Sequence, residues 1–138
     1  MSNNRRGISE AFDDRNFKYG EIYKIKDRLV DFPESRFTKP RTYHSTRMVV
    51  IIHHCESNSD PTIWTLNAAP LSGQTQMKRD TDLEIEPVHG NYINRTSLIR
   101  LGNAQPFLKI DLDGPIGRLP DEQLKKLSAL QSQLAGFV

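Results

Sequence analysis

Apolar residues recur along this chain in short, often alternating runs, and this pattern predicts strands through most of its length. Strands are predicted at 21–26, 47–54, 62–69, 82–86, 96–101 and 107–110. The second run is rich in β-branched residues, which favours a buried strand. Polar residues and a proline at 56–61 separate it from the third run, so these two are expected to form a hairpin.

One helix is predicted near the end of the chain, from about 120 to 135. Its leucines fall on one face at helical spacing: Leu124, Leu127, Leu130 and Leu134. Asp121 and Glu122 stand in the first turn, where the helix dipole favours negative charge. Several short strands and one closing helix predict a mainly β domain, built as a small, curved antiparallel sheet or barrel.

Two further segments complete the predicted organisation. Residues 1–18 form an N-terminal extension, which is either flexible or a short helix with Ile8 and Phe12 on one edge. Residues 19–138 form the single folded domain that a chain of 138 residues predicts. Within it, residues 27–46 form a long loop, and loops of this length are usually functional or disordered.

Composition adds limits on location and partners. Hydrophobic residues make up 36% and charged residues 26%, which is typical of a polar globular protein with a modest core. The single cysteine, Cys55, excludes an intrachain disulfide, and residues 1–15 lack the apolar core of a signal peptide. We therefore expect a cytoplasmic protein without a membrane partner. The net charge of +2 is too small to indicate nucleic acid by itself.

The charge distribution is more informative than its total, because the segment 35–46 is basic and contains no acidic residue. Its cationic and aromatic residues are candidates for RNA binding, the first through phosphates and the second by stacking on unpaired bases: Arg36, Lys39 and Arg41, with Phe37 and Tyr43. A solvated loop with its aromatic rings folded onto the barrel is an equally good interpretation. His44 is a candidate general acid or base, or an ordinary surface histidine.

Arg47 and Ser72 are the candidate catalytic pair. Arg47 begins one predicted strand, and Ser72 stands in a turn after the next, so a hairpin would bring both to one pocket. A guanidinium and a hydroxyl suit the binding of a phosphodiester. Taken alone, each is more typical of an ordinary strand end or turn. His53 and Cys55 share a strand face, but no further ligands stand at zinc spacing, so neither a metal site nor a cofactor is predicted.

Five short motifs stand in order between residues 20 and 122. They are Gly20-Glu21-Ile22-Tyr23, Arg47-Met48-Val49-Val50-Ile51-Ile52, Ala69-Pro70-Leu71-Ser72-Gly73, Ser97-Leu98-Ile99-Arg100-Leu101 and Ile116-Gly117-Arg118-Leu119-Pro120-Asp121-Glu122. Together they resemble the MazF/PemK (Kid) family of toxin endoribonucleases. The resemblance implies an SH3-like, partly open β-barrel of the MazF/PemK/CcdB type with a C-terminal helix, usually in a homodimer.

The resemblance also implies a function. Members of the family are toxins of type II toxin–antitoxin systems that cut single-stranded RNA, chiefly mRNA, at short sequences without a metal. Cleavage leaves 2′,3′-cyclic phosphate and 5′-hydroxyl ends and inhibits translation and growth, and a cognate antitoxin protein blocks the RNA groove. The family's catalytic arginine corresponds to Arg47, and its catalytic threonine corresponds to Ser72.

Three departures from the family pattern bear on specificity and rate. Met48 replaces the proline after the arginine, and the loop lacks the family's glutamate, to which Thr42 is nearest by count. Asn103-Ala104-Gln105 replaces a glutamine-x-arginine motif. Two alternatives stay open, a non-catalytic binding module and a gyrase-directed toxin, because one fold hosts several functions.

Overall fold

Seven strands form one antiparallel sheet in the computed structural model, which describes residues 7–137. The strands are β1 (Glu21–Lys26), β2 (Thr46–Ile51), β3 (Thr65–Ser72), β4 (Asp82–Ile85), β5 (Ser97–Arg100), β6 (Gln105–Leu108) and β7 (Asp113–Arg118). One α-helix, α1 (Asp121–Leu134), follows the last strand. This confirms the predicted mainly β fold with a C-terminal helix.

The longest strand, β3, organises the sheet. Its first half pairs with β6, its middle with β2 and its last two residues with β5. The sheet order is β4-β5-β3-β2-β1-β7, with β6 beside β3, so β4 and β7 are edges that do not pair with each other. The sheet is therefore bent but open, in agreement with the predicted partly open barrel.

The apolar core lies on both sides of β2. Successive strand residues point to opposite faces, and β2 uses this to supply two clusters. Val49 and Ile51 belong to a cluster with Phe17, whereas Val50 belongs to a second cluster that Leu127 of α1 completes. All five side chains are almost fully buried, which explains why β2 reads as a continuous β-branched run.

Several strand boundaries differ from the sequence prediction, and one strand was not predicted. The second predicted strand ends at Ile51 rather than at residue 54, and a short 3-10 helix follows at Glu56–Asn58. Strand β7 was not predicted, since Gly114, Pro115 and Gly117 are unfavourable in strands. An edge position tolerates them, because a proline there removes no hydrogen bond from a second neighbour.

The last residues of the predicted N-terminal extension pack on the sheet. Phe17 is buried in the core, and the Arg15 guanidinium donates hydrogen bonds to the carbonyl oxygens of Lys109 and Gly114. Residues 8–11 form a short 3-10 helix, whereas residues 1–6 lie outside the described part. A domain boundary after residue 18 stays a prediction. No helix in residues 7–137 is long and apolar enough to cross a bilayer.

Candidate functional site

A pocket opens where β2 begins and β3 ends. The two strands pair with Val49 opposite Pro70, and this register extended by two residues brings Arg47 to Ser72. The cavity measures about 230 Å³. It is lined by His44, Thr46, Arg47, Met48, Leu71, Ser72, Gly73, Gln74, Asn94, Arg95 and Ser97. The structure thus brings the three candidate catalytic residues, Arg47, Ser72 and His44, to one cavity.

The guanidinium of Arg47 is held in place at two atoms. Its Nη1–H donates to the carbonyl oxygen of Leu71 at 2.7 Å, and its Nε–H donates to Oδ1 of Asp27 at 2.6 Å. The side chain is 16% exposed, so part of it still meets solvent in the pocket. An arginine fixed in this way presents its remaining N–H groups in a defined orientation, which is what binding of phosphate oxygens requires.

Asp27 is the residue that orients Arg47. Its side chain has no solvent exposure, and it accepts hydrogen bonds from Arg47, from Arg41 and from the backbone N–H of His44. Burial by itself would raise the pKa of this carboxyl. The hydrogen bonds from Arg47 and His44 and the two guanidinium charges outweigh it and lower the pKa below its usual value, so Asp27 is ionised near neutral pH.

Ser72 is half-buried at the end of β3. Its Oγ accepts a hydrogen bond from the backbone N–H of Gln74 at 3.3 Å. The hydroxyl hydrogen has no acceptor among the described residues and is free to donate to a ligand in the pocket. His44 is exposed at the pocket edge, and the bond from its backbone to Asp27 at 2.8 Å fixes its position there.

The candidate RNA-binding residues of the loop lie outside the pocket lining and divide into two groups. Arg41 binds Asp27 and the carbonyl oxygen of Val30, and its guanidinium lies 4.4 Å from the centroid of the Tyr43 ring. It is therefore engaged within the protein. The others face solvent: Arg36, Phe37, Lys39 and Tyr43, with Phe37 92% and Tyr43 59% exposed.

Comparison with known proteins identifies the fold. No family model matches the chain, and no curated protein does. Among solved structures, the chain is similar to the Mycobacterium tuberculosis toxin MazF-mt6, at 21% identity and a TM-score of 0.56, over 68% of this chain and 90% of that chain. It is also similar to the crystal structure of an Mtb toxin, at 23% identity and a TM-score of 0.53, over 63% and 90%. The chain has the MazF toxin fold.

In this MazF-fold chain, the long loop after β1 is tied to β6. The Gln105 amide forms a reciprocal pair with Asp31: its Nε2–H donates to the backbone oxygen at 2.9 Å, and its Oε1 accepts the backbone N–H at 2.8 Å. Asn103 donates to Oε1 of Glu34 at 2.8 Å. Asn103 and Gln105, which replace the glutamine and arginine of the glutamine-x-arginine motif, therefore anchor the loop that carries Phe37.

Sequence analysis did not find Asp27 or Arg95 as site residues. Asp27 follows β1 directly, and β1 pairs with β2 so that Lys26 lies opposite Thr46. The available signal was that Asp27 is an acidic residue at the end of β1. Its proximity to Arg47 depends on the β1–β2 register, which the sequence does not display. Arg95 comes from the segment between β4 and β5, far from Arg47 along the chain, and belongs to none of the five motifs.

His53 and Cys55 lie beyond the end of β2 and have contacts other than a metal ion. Nε2 of His53 lies 3.2 Å from the amide nitrogen of Asn67, and Cys55 is exposed beside Ser57. Across residues 7–137, no group of three or more His, Cys, Asp or Glu side chains is arranged to hold a metal ion.

Proposed function

We propose that this chain is the toxin of a type II toxin–antitoxin system, a metal-independent endoribonuclease that cleaves single-stranded RNA at specific sequences. The observation that carries the proposal is the meeting of a fixed guanidinium and a free hydroxyl in one pocket, at Arg47 and Ser72. The MazF toxin fold supports it, because two toxins share that fold.

For this reaction the protein must stabilise negative charge on the phosphate, hydrogen-bond a phosphate oxygen and transfer protons. The 2′-hydroxyl of the RNA attacks the adjacent phosphorus, the bond from phosphorus to the 5′-oxygen breaks, and a 2′,3′-cyclic phosphate and a 5′-hydroxyl result. Arg47 stabilises the negative charge that grows on the phosphate oxygens and keeps its own proton throughout. Ser72 donates a hydrogen bond to a phosphate oxygen. His44 is our candidate for proton transfer to or from the attacking and leaving oxygens.

The exposed loop supplies the binding surface in this proposal. Phe37 and Tyr43 offer rings for stacking on unpaired bases, and Arg36 and Lys39 offer charge to the phosphate backbone. Arg41 contributes by holding the loop on Asp27. A cognate antitoxin would cover the same surface. The proposal includes a homodimeric state and a cytoplasmic location for this protein.

The test is cleavage of a long single-stranded RNA by the purified protein in EDTA. We expect discrete cuts with cyclic-phosphate ends, lost in Arg47→Ala. The matched control is Arg118→Ala, which removes an exposed arginine of β7 that lines a different cavity and should cut normally. Circular dichroism checks that each variant is folded. No cuts from the folded wild type, free of any antitoxin, would contradict the proposal and favour the binding module or the gyrase-directed toxin.

A further inference from the structure

The guanidinium of Arg95 lies against Gly73, the residue after Ser72. A Cβ atom placed on Gly73 would lie 2.4 Å from Nη2 of Arg95 and 2.6 Å from both its Cζ and Nε, which is closer than such atoms approach. The absence of a side chain at position 73 therefore creates the space that the guanidinium fills. Gly73 does not need its freedom for a left-handed backbone, since its φ lies outside that region.

Arg95 differs from Arg47, which also lines the pocket, in having no counterion among the described residues. Arg41 and Arg47 both bind Asp27, whereas the Arg95 guanidinium has neither an ion pair nor a hydrogen bond within residues 7–137. The side chain is exposed, and no acidic residue lines the pocket beside it. A cation held by packing alone, in a cavity without acids, is suited to an external anion.

The guanidinium groups of Arg47 and Arg95 contact the two residues that flank Ser72 in the sequence. Arg47 donates to the carbonyl oxygen of Leu71, the residue before Ser72, and Arg95 packs on Gly73, the residue after it. Arg47 is largely enclosed by its protein partners, whereas Arg95 is exposed at the rim. A strand of RNA with one phosphate at Arg47 and Ser72 would continue past this rim, where Arg95 is available to a neighbouring phosphate.

We propose that Arg95 binds the RNA phosphate next to the one that is cleaved. We further infer that position 73 is a glycine because a side chain there would displace this guanidinium. The inference rests on the proposed function and adds a substrate requirement to it. Efficient substrates have at least two consecutive phosphodiesters. A dinucleotide with a single phosphodiester gains nothing from Arg95.

The first test compares the wild type with Arg95→Ala on a short RNA that contains the mapped cleavage sequence. Loss of one phosphate contact should raise KM about tenfold, and it should reduce the salt slope of binding by about 0.7, the value for one contact on a single strand. The kcat should stay within about a factor of two, because Arg95 does not touch the reacting atoms. Arg95→Lys keeps the charge and should recover part of the affinity, and Arg118→Ala controls for a lost surface charge.

The second test removes the phosphate charge instead of the arginine. The linkages on either side of the scissile one are replaced, one at a time, by a neutral methylphosphonate. At one of these two positions, the wild type should lose about tenfold in kcat/KM while Arg95→Ala loses nothing further. Equal losses in both proteins at both positions would overturn the assignment of a neighbouring phosphate to Arg95.

The third test concerns Gly73. The new methyl group of Gly73→Ala meets the far end of a flexible side chain, so the protein should fold and Arg95 should be displaced. The variant should lose affinity like Arg95→Ala, and the double variant should be no worse than Arg95→Ala alone. If the losses of affinity in the two single variants were additive, Gly73 would act through the backbone of Ser72 and not by making space for Arg95.

The outcomes separate this inference from the proposed function. Wild-type cleavage with an unchanged KM and salt slope in Arg95→Ala would overturn the inference and leave the endoribonuclease intact. A folded wild type that cleaves no RNA would overturn both.

Discussion

The carboxylate of Asp27 accepts the Nε–H of Arg47 at 2.6 Å from a fully buried position. The same carboxylate binds Arg41 and the backbone of His44, so one buried anion connects the pocket arginine to the long loop. One negative charge between two guanidinium groups leaves the neighbourhood net positive. Asp27 therefore orients Arg47 without cancelling its attraction for phosphate.

Asp27→Asn should weaken both stability and cleavage. It leaves two largely buried guanidinium groups without their anion, which should lower the free energy of unfolding by about 3 kcal/mol. A less well oriented Arg47 should lower kcat about 10- to 100-fold, with a smaller effect on KM. Urea denaturation and single-turnover cleavage of RNA measure the two effects.

The control for this variant is Asp31→Asn. Asp31 pairs with Arg36 at 3.2 Å on the surface, where both side chains are more than half exposed, so its loss should cost less than about 1 kcal/mol. If Asp27→Asn were as mild as Asp31→Asn in both measurements, Asp27 would have no role in holding Arg47.

The ion pairs of Asp27 also predict how stability depends on pH. Its pKa is lower in the folded protein than the ordinary value of 3.8, so its contribution to stability is complete above about pH 4. That contribution is lost as the pH falls through the folded-state pKa. The difference in unfolding free energy between wild type and Asp27→Asn should therefore be constant from pH 7 to 5 and shrink below pH 4. A difference that does not change down to pH 3 would contradict this.

Ser72→Thr and Ser72→Ala should separate the hydroxyl from its backbone position. Thr keeps the donor and should retain most of the activity. Ala removes the donor and should lower kcat about 10- to 100-fold, because the loss falls on the transition state. The stability of both should stay within about 1 kcal/mol of wild type, since the hydrogen bond from Gln74 that Ala loses is a long one. Equal single-turnover rates for Ala and Thr would remove Ser72 from the chemistry.

Phe37→Ala should weaken RNA binding without affecting the fold. The ring is 92% exposed, so its removal should change the free energy of unfolding by less than about 0.5 kcal/mol. Loss of stacking on one base should lower affinity about tenfold, measured by fluorescence anisotropy with a 2′-deoxy-blocked RNA. The matched control is Phe137→Ala, which removes a ring that is 85% exposed at the end of the chain. If both variants bound RNA equally well, Phe37 would not be a stacking residue.

Local pattern was enough to predict much of this protein from its sequence. Alternation and β-branching located β1, β2 and β3, and the leucine spacing located α1, because strand and helix periods depend on neighbouring residues alone. The order of short motifs gave the fold, and it selected Arg47 and Ser72 for a pocket that the β2–β3 register does form.

The tertiary structure decided the partners of these residues. Asp27 meets Arg47 through the pairing of β1 with β2, Arg41 turns inward onto the same carboxylate, and Arg95 reaches Gly73 from the segment after β4. Strand β7 is likewise defined by its pairing with β1 and not by its composition. Each of these features depends on strand register and on the path of a loop, which are set by contacts between residues distant in sequence. The sequence alone therefore determined six of the seven strands and the helix, whereas only the folded chain determined β7 and which charges meet.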